Sequence, residues 1–428
     1  MNIKLSYNLP TLNTNLQISG SKSETNRLLV LQALYPNLVL ENTSNSDDSE
    51  VMLNALQNFQ LPTSNFQLVD VHHAGTAMRF LTAYFAIQEG KEVVLTGSAR
   101  MKERPIKILV DALNQLGAEI SYEEQEGFPP LRIKGKKLSK SKVTLQANVS
   151  SQYISALLLI APKLENGLEL TLEGEITSVS YIKMTLALLN EIGVKTLFEN
   201  NTIKVTHQPS PITHHPITVE SDWTSASYWY SIVALSEIGT QVTLSSFKEN
   251  SLQGDSALVE IYKNFGVETI FNDKNITLHK VENLKPATLN LELNTCPDIA
   301  QTIAVTCFGL GISCQLTGLQ TLKIKETDRL EALKTELTKL GATISVTNNS
   351  LTLEQSENIK PNIRISTYQD HRMAMAFAPL AVKVPIIIED AEVVSKSYPD
   401  FWEDIKQIGF TIVKNIKSRD DWIRTSDP

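Results

Sequence analysis

One pattern recurs along the chain. A stretch with apolar residues at helical spacing ends in a glycine, and a short segment of alternating apolar and polar residues follows at once. Residues 113–120, LNQLGAEI, are one copy, and residues 189–194, LNEIGV, are another. The spacing predicts a helix, the glycine predicts a left-handed residue at the helix end, and the alternation predicts a strand. The glycines of the clear copies are Gly117, Gly193, Gly266, Gly341 and Gly409.

These glycines are separated by 76, 73, 75 and 68 residues, and such regular spacing indicates an internal repeat. Turns rich in Asn and Asp, such as residues 272–275 and 347–350, return the chain after the first strand of a copy. Residues 53–59 are predicted to be a degenerate sixth copy without glycine. Because the period exceeds that of solenoid repeats, we expect two closed domains of three units each.

Length and composition agree with this organisation. The chain has 428 residues, more than one core usually holds, so two domains of roughly 200 residues each are expected. Hydrophobic residues make up 42% and charged residues 20%, which is typical of a globular protein. Residues 418–428 are polar and aperiodic, and we expect them to form a disordered tail.

Composition and charge also exclude several classes. No apolar run reaches the length of about 18 residues that spans a bilayer, and the first residues do not resemble a signal peptide, so a cytoplasmic location is expected. The net charge of −8 has the wrong sign for a nucleic-acid or anionic-membrane surface. Cys296, Cys307 and Cys314 lack the spacing of a zinc site or a disulfide framework. Any anion site must therefore be local.

Three predicted helix starts in the first half carry small, hydroxyl or basic residues. Residues 20–27, GSKSETNR, place Lys22 and Arg27 near free backbone N–H groups, which is typical of an anion pocket. Residues 74–79, AGTAMR, include a glycine that lets a backbone approach a ligand closely. Residues 150–152, SSQ, open another apolar helix. An ordinary capped helix also explains each segment, so both interpretations stay open.

Two charged segments stand out in the second half. Residues 325–329, KETDR, are predicted to start a helix that runs to Leu340, with Lys325 and Arg329 four residues apart on one face. Like charges at that spacing are destabilising unless an anion binds between them. Residues 370–372, DHR, precede an apolar stretch. A solvated helix start and a core-edge ion pair are the alternatives. Together the residues indicate a two-domain enzyme that binds a multiply charged anion.

The same residues resemble the EPSP synthase (3-phosphoshikimate 1-carboxyvinyltransferase) family between Gly20 and Trp402. The most specific part is the combination of KETDR at 325–329 with DHRMAM at 370–375. Further matching segments are LTG at 95–97, RMKERP at 100–105, Ser178 with Tyr181, PD at 297–298 and KSYPD at 396–400.

This resemblance implies an α/β enolpyruvyl-transferase fold, an inside-out α/β barrel of six βαβαββ units, with three units around buried parallel helices in each domain. It implies that residues 20–220 form an N-terminal domain that mainly binds shikimate 3-phosphate. Residues 1–19 and 221–417 would form the second domain, with base, acid and phosphoenolpyruvate residues. The implied protein is a monomer whose domains close on the substrate like a clamp. It needs no metal or organic cofactor, and its partners are small-molecule substrates.

The implied reaction transfers the enolpyruvyl group of phosphoenolpyruvate to the 5-hydroxyl of shikimate 3-phosphate. Two phosphates and two carboxylates must be held, and arginine suits both groups. The implied shikimate 3-phosphate residues are Lys22, Ser23, Arg27, Ser150, Ser151, Gln152, Ser178, Tyr181, Asp298 and Lys325. The implied phosphoenolpyruvate residues are Lys22, Gly75, Thr76, Arg104, Gln152, Glu326, Arg329, Arg372 and Lys396.

The chemistry needs a base for the 5-hydroxyl proton, an acid for the methylene carbon and cations for the departing phosphate. By resemblance Asp298 is the base and Glu326 the leading acid, and Lys22 could share either proton transfer. Four positions depart from residues frequent in the family: His73 from Asn, Phe80 from Pro, Lys183 from Asp and Thr321 from Asn.

Two other functions stay open. A sister enzyme that transfers enolpyruvate to UDP-N-acetylglucosamine has the same fold and carries a reactive cysteine five residues before an Arg-Pro pair. The corresponding position before Arg104-Pro105 is Ala99, and the first cysteine of this chain is Cys296. A non-catalytic repeat scaffold would explain the periodic glycines and would leave the charged helix starts without a purpose.

Overall fold

The fold is taken from a computed structural model, in which the chain divides into two compact units. Domain I is Gly20–Glu220, and domain II combines Met1–Ser19 with Ser221–Pro428. The structure describes residues 1–8, 12–59, 66–146, 150–174, 176, 179–210 and 215–414. Ser178 and the expected tail at 418–428 lie outside these ranges.

Strands and helices alternate along both domains. The strands are β1 Ile3–Tyr7, β2 Asn13–Leu16, β3 Leu40–Glu41, β4 Phe66–Asp70, β5 Glu92–Thr96, β6 Glu119–Tyr122, β7 Leu131–Lys134, β8 Lys142–Gln146, β9 Leu168–Glu173, β10 Thr196–Glu199, β11 Thr202–Val205, β12 Ile217–Thr218, β13 Gln241–Ser245, β14 Val267–Asn272, β15 Asn275–Lys280, β16 Thr288–Glu292, β17 Ser313–Thr317, β18 Ile344–Val346, β19 Leu351–Leu353, β20 Arg364–Ile365, β21 Ile386–Ile388 and β22 Phe410–Lys414. The α-helices are α1 Lys22–Leu34, α2 Asp47–Phe59, α3 Gly75–Ala86, α4 Ala99–Lys102, α5 Lys107–Gln115, α6 Ser151–Ile160, α7 Val179–Glu191, α8 Trp223–Leu235, α9 Leu258–Ile261, α10 Ala300–Leu310, α11 Arg329–Leu340, α12 His371–Phe377 and α13 Phe401–Gln407.

One sheet shows the repeating unit. Its strand order is β4-β5-β7-β6. β4 and β5 pair in parallel, with α3 between them, and β7 pairs antiparallel with both β5 and β6. The connection is therefore strand, helix, strand, helix and hairpin. The sheets β8-β9-β11-β10, β2-β13-β15-β14, β16-β17-β19-β18 and β20-β21-β1-β22 have the same kind of pairing. The predicted βαβαββ repeat is confirmed.

Two sheets of domain II are completed by strands from the start of the chain. β1 lies between β21 and β22 and is antiparallel to both. β2 pairs in parallel with β13, with Asn13 opposite Gln241. In the described part of domain I, the sixth sheet is a short parallel pair of β3 and β12. The predicted degenerate copy at 53–59 lies at the end of α2.

The repeat glycines follow the helical segments of their units in the left-handed conformation, as predicted. Their φ angles are 104° at Gly117, 89° at Gly193, 73° at Gly266, 109° at Gly341 and 100° at Gly409. A side chain at Gly266 would also place its Cβ 1.9 Å from the carbonyl oxygen of Glu282. Only glycine combines this φ with such a close approach.

The helices form the interior of each domain. Every residue of α8 except Thr224 is buried, and α3, α6 and α10 are almost as deeply buried, so these helices are apolar on nearly all faces. Strands such as β8 instead alternate between buried and exposed residues. Side chains on the helix bodies are therefore committed to the core, and the polar groups that could reach a ligand concentrate at helix starts. Among the described residues, no helix is long and apolar enough to cross a membrane.

Domain II buries one lysine without a carboxylate partner among the described residues. Lys280 is fully buried at the end of β15, and its Nζ donates to the carbonyl oxygens of Ala234, 3.0 Å away, and Phe265, 2.6 Å away. Burial, and then the charge of Lys383, lower the pKa of Lys280 to about 8.

The stability of the protein should therefore respond to pH through Lys280. The pKa of Lys280 is lower in the folded protein than in the unfolded chain. Between about pH 8 and pH 10.4 the folded protein therefore loses this proton while the unfolded chain keeps it. The free energy of unfolding rises with pH across this window. We expect the free energy of unfolding of wild type, minus that of Lys280→Met, to increase by about 1 to 3 kcal/mol between pH 8 and 10. Urea titrations at fixed pH values measure it. Replacing the exposed Lys263 with Met is the control, and a pH-independent difference would contradict the prediction.

Candidate active site

The start of α1 carries a lysine held by an acidic side chain. Ser21 caps the helix, and its Oγ accepts a hydrogen bond from the backbone N–H of Glu24 at 3.5 Å. Lys22 Nζ donates to Asp48 Oδ2 at 3.1 Å. The other Asp48 oxygen lies 3.8 Å from His73 Nε2. Asp48 therefore connects the predicted Lys22 to His73, one of the positions that depart from the family's frequent residues.

Arg27, one turn further along α1, is buried and donates only to neutral acceptors, although the charge of Glu24 also acts on it. Its side chain donates to Thr185 Oγ1 at 2.7 Å, to Ser155 Oγ at 3.1 Å and to the carbonyl oxygen of Ser23 at 2.7 Å. Burial lowers the pKa of Arg27 to about 10, so the guanidinium still carries its charge at neutral pH. No carboxylate of the described residues lies within 4.0 Å of this group. A buried cation without an anionic partner is suited to bind an anionic ligand.

A second cationic group lies at the start of α3. An added Cβ at Gly75 would lie 2.6 Å from Arg104 Nη1, so Arg104 packs directly over the bare backbone of this glycine. Arg79 is buried and donates to the carbonyl oxygen of Gly75 at 3.0 Å. Burial first, and then the charge of Arg104, lower the pKa of Arg79 to about 10. Two neighbouring arginines, neither with a carboxylate within 4.0 Å among the described residues, create a local positive potential in an acidic protein.

Gly75→Ala should displace the guanidinium of Arg104 while the fold is retained. The group that must move is the end of a flexible side chain, and Gly75 lies at the first position of α3, where alanine is well tolerated. If Arg104 binds phosphoenolpyruvate, its KM should rise by about 10-fold or more, corresponding to one weakened charge-assisted hydrogen bond. Steady-state kinetics measure it, and the KM for shikimate 3-phosphate is the internal control. An unchanged KM for phosphoenolpyruvate would show that Arg104 does not bind it.

The structure brings the start of α6 to the start of α3. Ser150 caps α6 through its Oγ, which accepts from the backbone N–H of Gln152 at 3.3 Å. Gln152 Nε2 donates to Thr76 Oγ1 at 3.1 Å. Ser151 is buried. Tyr181, on α7, instead contacts Arg27, whose Cζ lies 5.6 Å from the ring centroid.

Domain II contains a separate cluster around Arg329. Its Nε donates to Asp370 Oδ2 at 2.6 Å, its Nη1 to Asp298 Oδ1 at 3.0 Å and its Nη2 to Glu326 Oε2 at 2.8 Å. The side chain is almost completely buried. Burial by itself would lower the pKa of Arg329, but the carboxylates of Asp370 and Glu326 outweigh it and raise the pKa above its ordinary value. Arg329 is thus a permanent charge that holds three carboxylates in place.

Asp298 is surrounded by cations. Besides Arg329, Lys325 Nζ lies 3.6 Å from Asp298 Oδ1, and Arg372 Nη2 lies 3.3 Å from Oδ2. Arg372 also donates to the Asp298 carbonyl oxygen at 3.3 Å. These ion pairs hold both oxygens of Asp298 in place.

The predicted helix position of Lys325 was wrong. The helix begins at Arg329, because Asp328 caps it by accepting from the backbone N–H groups of Leu330 and Glu331, each at 3.2 Å. Lys325 therefore precedes the helix and does not share a face with Arg329. The two cations meet at the same oxygen of Asp298 instead.

Lys396 lies against the loop that leads into α12. Its Nζ donates to the carbonyl oxygen of Gln369 at 2.8 Å. Tyr368 and Gln369 both have positive φ, 53° and 55°, which is unusual for two successive residues other than glycine. These two residues directly precede Asp370, which caps α12 by accepting a hydrogen bond from the backbone N–H of Arg372 at 2.9 Å.

Four groups were missed by the sequence interpretation. Asp370 belongs to the charged segment at 370–372, but only Arg372 of that segment was assigned a role. Arg79 belongs to the segment at 74–79 but was not assigned a role. Asp48 and Asp255 gave no signal, because single acidic residues are common. Asp255 is buried, and burial first, and then the charge of Asp298, raise the pKa of Asp255 to about 7. In the described part of the chain, no group of three or more His, Cys, Asp or Glu residues is arranged to hold a metal ion.

The fold and these charged groups define an α/β repeat protein of two domains, with buried arginines Arg27 and Arg79 in domain I, buried Arg329 in domain II, and charged helix starts in both. A model of the family described as EPSP synthase (3-phosphoshikimate 1-carboxyvinyltransferase) matches residues 60–405. A Bacteroides fragilis protein named 3-phosphoshikimate 1-carboxyvinyltransferase is 46% identical over 409 residues, which cover 94% of this chain and 96% of the relative. A protein of the same name from Colwellia psychrerythraea is 35% identical over 426 residues, which cover 93% and 97%. The chain belongs to the EPSP synthase family.

Solved structures show the same fold. An EPSP synthase from Acinetobacter baumannii superposes with a TM-score of 0.78 at 20% sequence identity, covering 97% of this chain and 100% of that one. The expected two-domain enolpyruvyl-transferase fold is confirmed.

Proposed function

We propose that the protein is a 3-phosphoshikimate 1-carboxyvinyltransferase. It transfers the enolpyruvyl group of phosphoenolpyruvate to the 5-hydroxyl of shikimate 3-phosphate and releases phosphate. The observation that carries the proposal is family membership over nearly the whole chain, with relatives of this name at 46% and 35% identity. The placement of the charged residues supports it, because buried arginines without carboxylate partners in domain I suit phosphates and carboxylates.

In this proposal the two domains have different roles. Domain I supplies groups that bind the anions of both substrates. These groups belong to Lys22, Ser23, Arg27, Gly75, Thr76, Arg104, Ser150, Ser151, Gln152, Ser178 and Tyr181. Domain II supplies the charged cluster of Asp298, Lys325, Glu326, Arg329, Arg372 and Lys396. We also propose that both sets act on the same substrate pair, since the reaction needs a base, an acid and cations at once.

Asp298 is the proposed base for the 5-hydroxyl proton. Its two oxygens face three cations, which hold the carboxylate in position. Glu326 is the proposed leading acid for the methylene carbon. Arg329 donates to it at 2.8 Å, which fixes the position of this carboxyl group. Lys22 is proposed to share either proton transfer and to stabilise developing charge.

A phosphate-release assay with both substrates tests the function. We expect phosphate release that requires shikimate 3-phosphate and phosphoenolpyruvate together, with formation of the 5-enolpyruvyl product by mass spectrometry. Release with UDP-N-acetylglucosamine in place of shikimate 3-phosphate would support the sister enzyme, although the chain has no cysteine before Cys296. Absence of release with either acceptor, together with absence of ligand binding, would favour the non-catalytic scaffold.

A further inference from the structure

The environment of Arg27 in domain I points to one residue that the proposed site does not include. Arg27 is only 2% exposed, and the Cζ of its guanidinium lies 5.3 Å from the ring centroid of Phe80. Phe80 lies on α3 and is 1% exposed. The ring of Tyr181, on α7, is the second aromatic neighbour, at 5.6 Å. With Ser155 of α6, which accepts a hydrogen bond from Arg27, four helices thus meet at this guanidinium.

Hydrogen bonds account for only part of the donor capacity of Arg27. Its Nε–H is taken by Thr185, and each Nη atom donates to one acceptor, Ser23 or Ser155. Each Nη atom of a guanidinium carries two N–H groups. Among the described residues, no hydrogen-bond acceptor is found for the second N–H on either Nη. These two N–H groups belong to the same planar fork that binds carboxylates and phosphates in a bidentate manner.

Electrostatics explain why an aromatic ring is placed here. Burial of a guanidinium among neutral acceptors is unfavourable, and a carboxylate partner would neutralise the charge that the ligand needs. An aromatic face attracts the cation without carrying a formal charge and without offering a hydrogen-bond acceptor to its N–H groups. Phe80 can therefore stabilise and orient the charged fork while leaving its remaining donors for an anion.

We propose that Phe80 is a positioning residue for shikimate 3-phosphate, and that it acts by holding the plane of the Arg27 guanidinium. Phe80 has no polar atom, so it affects binding through Arg27 and not through a hydrogen bond of its own. Tyr181 differs in this respect, because its hydroxyl gives it a polar group as well as a ring. This inference rests on the proposed function, in which Arg27 binds shikimate 3-phosphate.

Phe80→Leu tests the proposal, because leucine keeps an apolar side chain and removes the aromatic face. We expect the Kd for shikimate 3-phosphate, measured by calorimetric titration, to rise by about 3- to 30-fold, the range of a buried cation–π contact. Turnover at saturating substrate should change by less than about 2-fold, because uniform binding and not a transition-state interaction is removed.

Phe85→Leu is the matched control. Phe85 lies on the same helix, is equally buried and packs against Phe59 and Tyr84, with ring centroids 4.7 and 5.6 Å away. Both leucine variants lose a buried ring and should lose similar stability, but only Phe80→Leu should weaken binding. Equal Kd values for the two variants would overturn the proposal.

A second measurement avoids dependence on the folding of Phe80→Leu. Phenylalanine with one, two or three ring fluorines at position 80 weakens the negative face of the ring while nearly preserving its shape. We expect the Kd to rise stepwise with fluorine number while the melting temperature stays nearly constant, which a purely packing role does not predict. If the wild type binds shikimate 3-phosphate but the Kd does not change with fluorine number, this inference alone is overturned. A wild type that binds no shikimate 3-phosphate overturns the proposed function as well.

Discussion

Asp298→Asn should lower turnover by about 10² to 10⁴, the usual contribution of a positioned general base. Asparagine keeps the size of the side chain but cannot accept the 5-hydroxyl proton at neutral pH. It also presents an amide N–H₂ to a group of cations, since Asp298 faces Arg329, Lys325 and Arg372. We therefore expect some loss of stability in addition to the loss of turnover. Stopped assays of product formation at saturating substrates measure the first, and thermal unfolding the second.

The control for Asp298→Asn is the same change at another helix start. Asp222 caps α8 by accepting from the backbone N–H of Ser225 at 2.8 Å, and asparagine is nearly as good a cap as aspartate. Asp222→Asn should therefore retain turnover. If Asp298→Asn keeps more than about a third of wild-type turnover, Asp298 is not the base, and Lys22 or Glu326 must take that role. Binding of phosphoenolpyruvate should change much less than turnover in either variant.

Arg329→Lys should destabilise domain II by about 3 kcal/mol and lower the melting temperature by about 6 to 12 °C. The guanidinium bonds three carboxylates in three directions, and Asp370, its nearest partner, is completely buried. A lysine ammonium is a compact charge without the planar fork, so it cannot satisfy all three at these distances. At least one buried carboxylate would lose its partner.

Turnover of Arg329→Lys should also fall, by about 10² or more, because the proposed base and acid would both shift from their positions. Arg364→Lys is the matched control in the same domain. Arg364 Nη1 lies 3.6 Å from Glu389 Oε1, and its side chain is partly exposed, so this change should alter the melting temperature by no more than about 2 °C. A similar melting temperature for both variants would mean that the carboxylates around Arg329 find other partners.

The two substitutions test different properties of the cluster around Arg329. Asp298→Asn removes a proton acceptor and leaves the surrounding cations. Arg329→Lys keeps the positive charge and removes the planar guanidinium that bonds three carboxylates. If turnover falls in both, but stability falls strongly only in Arg329→Lys, then proton transfer belongs to Asp298, and the role of Arg329 is to hold the carboxylates in place.

The repeat could be read from the sequence because it depends on short-range preferences. A glycine that must adopt positive φ, as at Gly341, is required by the backbone at that residue alone. The same holds for helix starts such as Ser150, whose cap involves residues only two positions apart. These local rules recur in the five clear copies, so the glycines at helix ends, the strands that follow them and most helix starts could be predicted from the sequence. The βαβαββ order was implied by the resemblance to the EPSP synthase family.

The partners of each charge could not be read in this way. Arg27 meets Thr185 across 158 residues of chain, and Arg329 meets Asp370 across 41. Which group neutralises a buried charge depends on how distant helices pack, and single acidic or hydroxyl residues are too common for a sequence pattern to select among them. Sequence alone therefore determined the repeating fold and the positions of the cationic residues. Only the tertiary structure decided that Arg27 lies among hydroxyls and aromatic rings while Arg329 is held by carboxylates, because desolvation and Coulomb energies are set by neighbours in space.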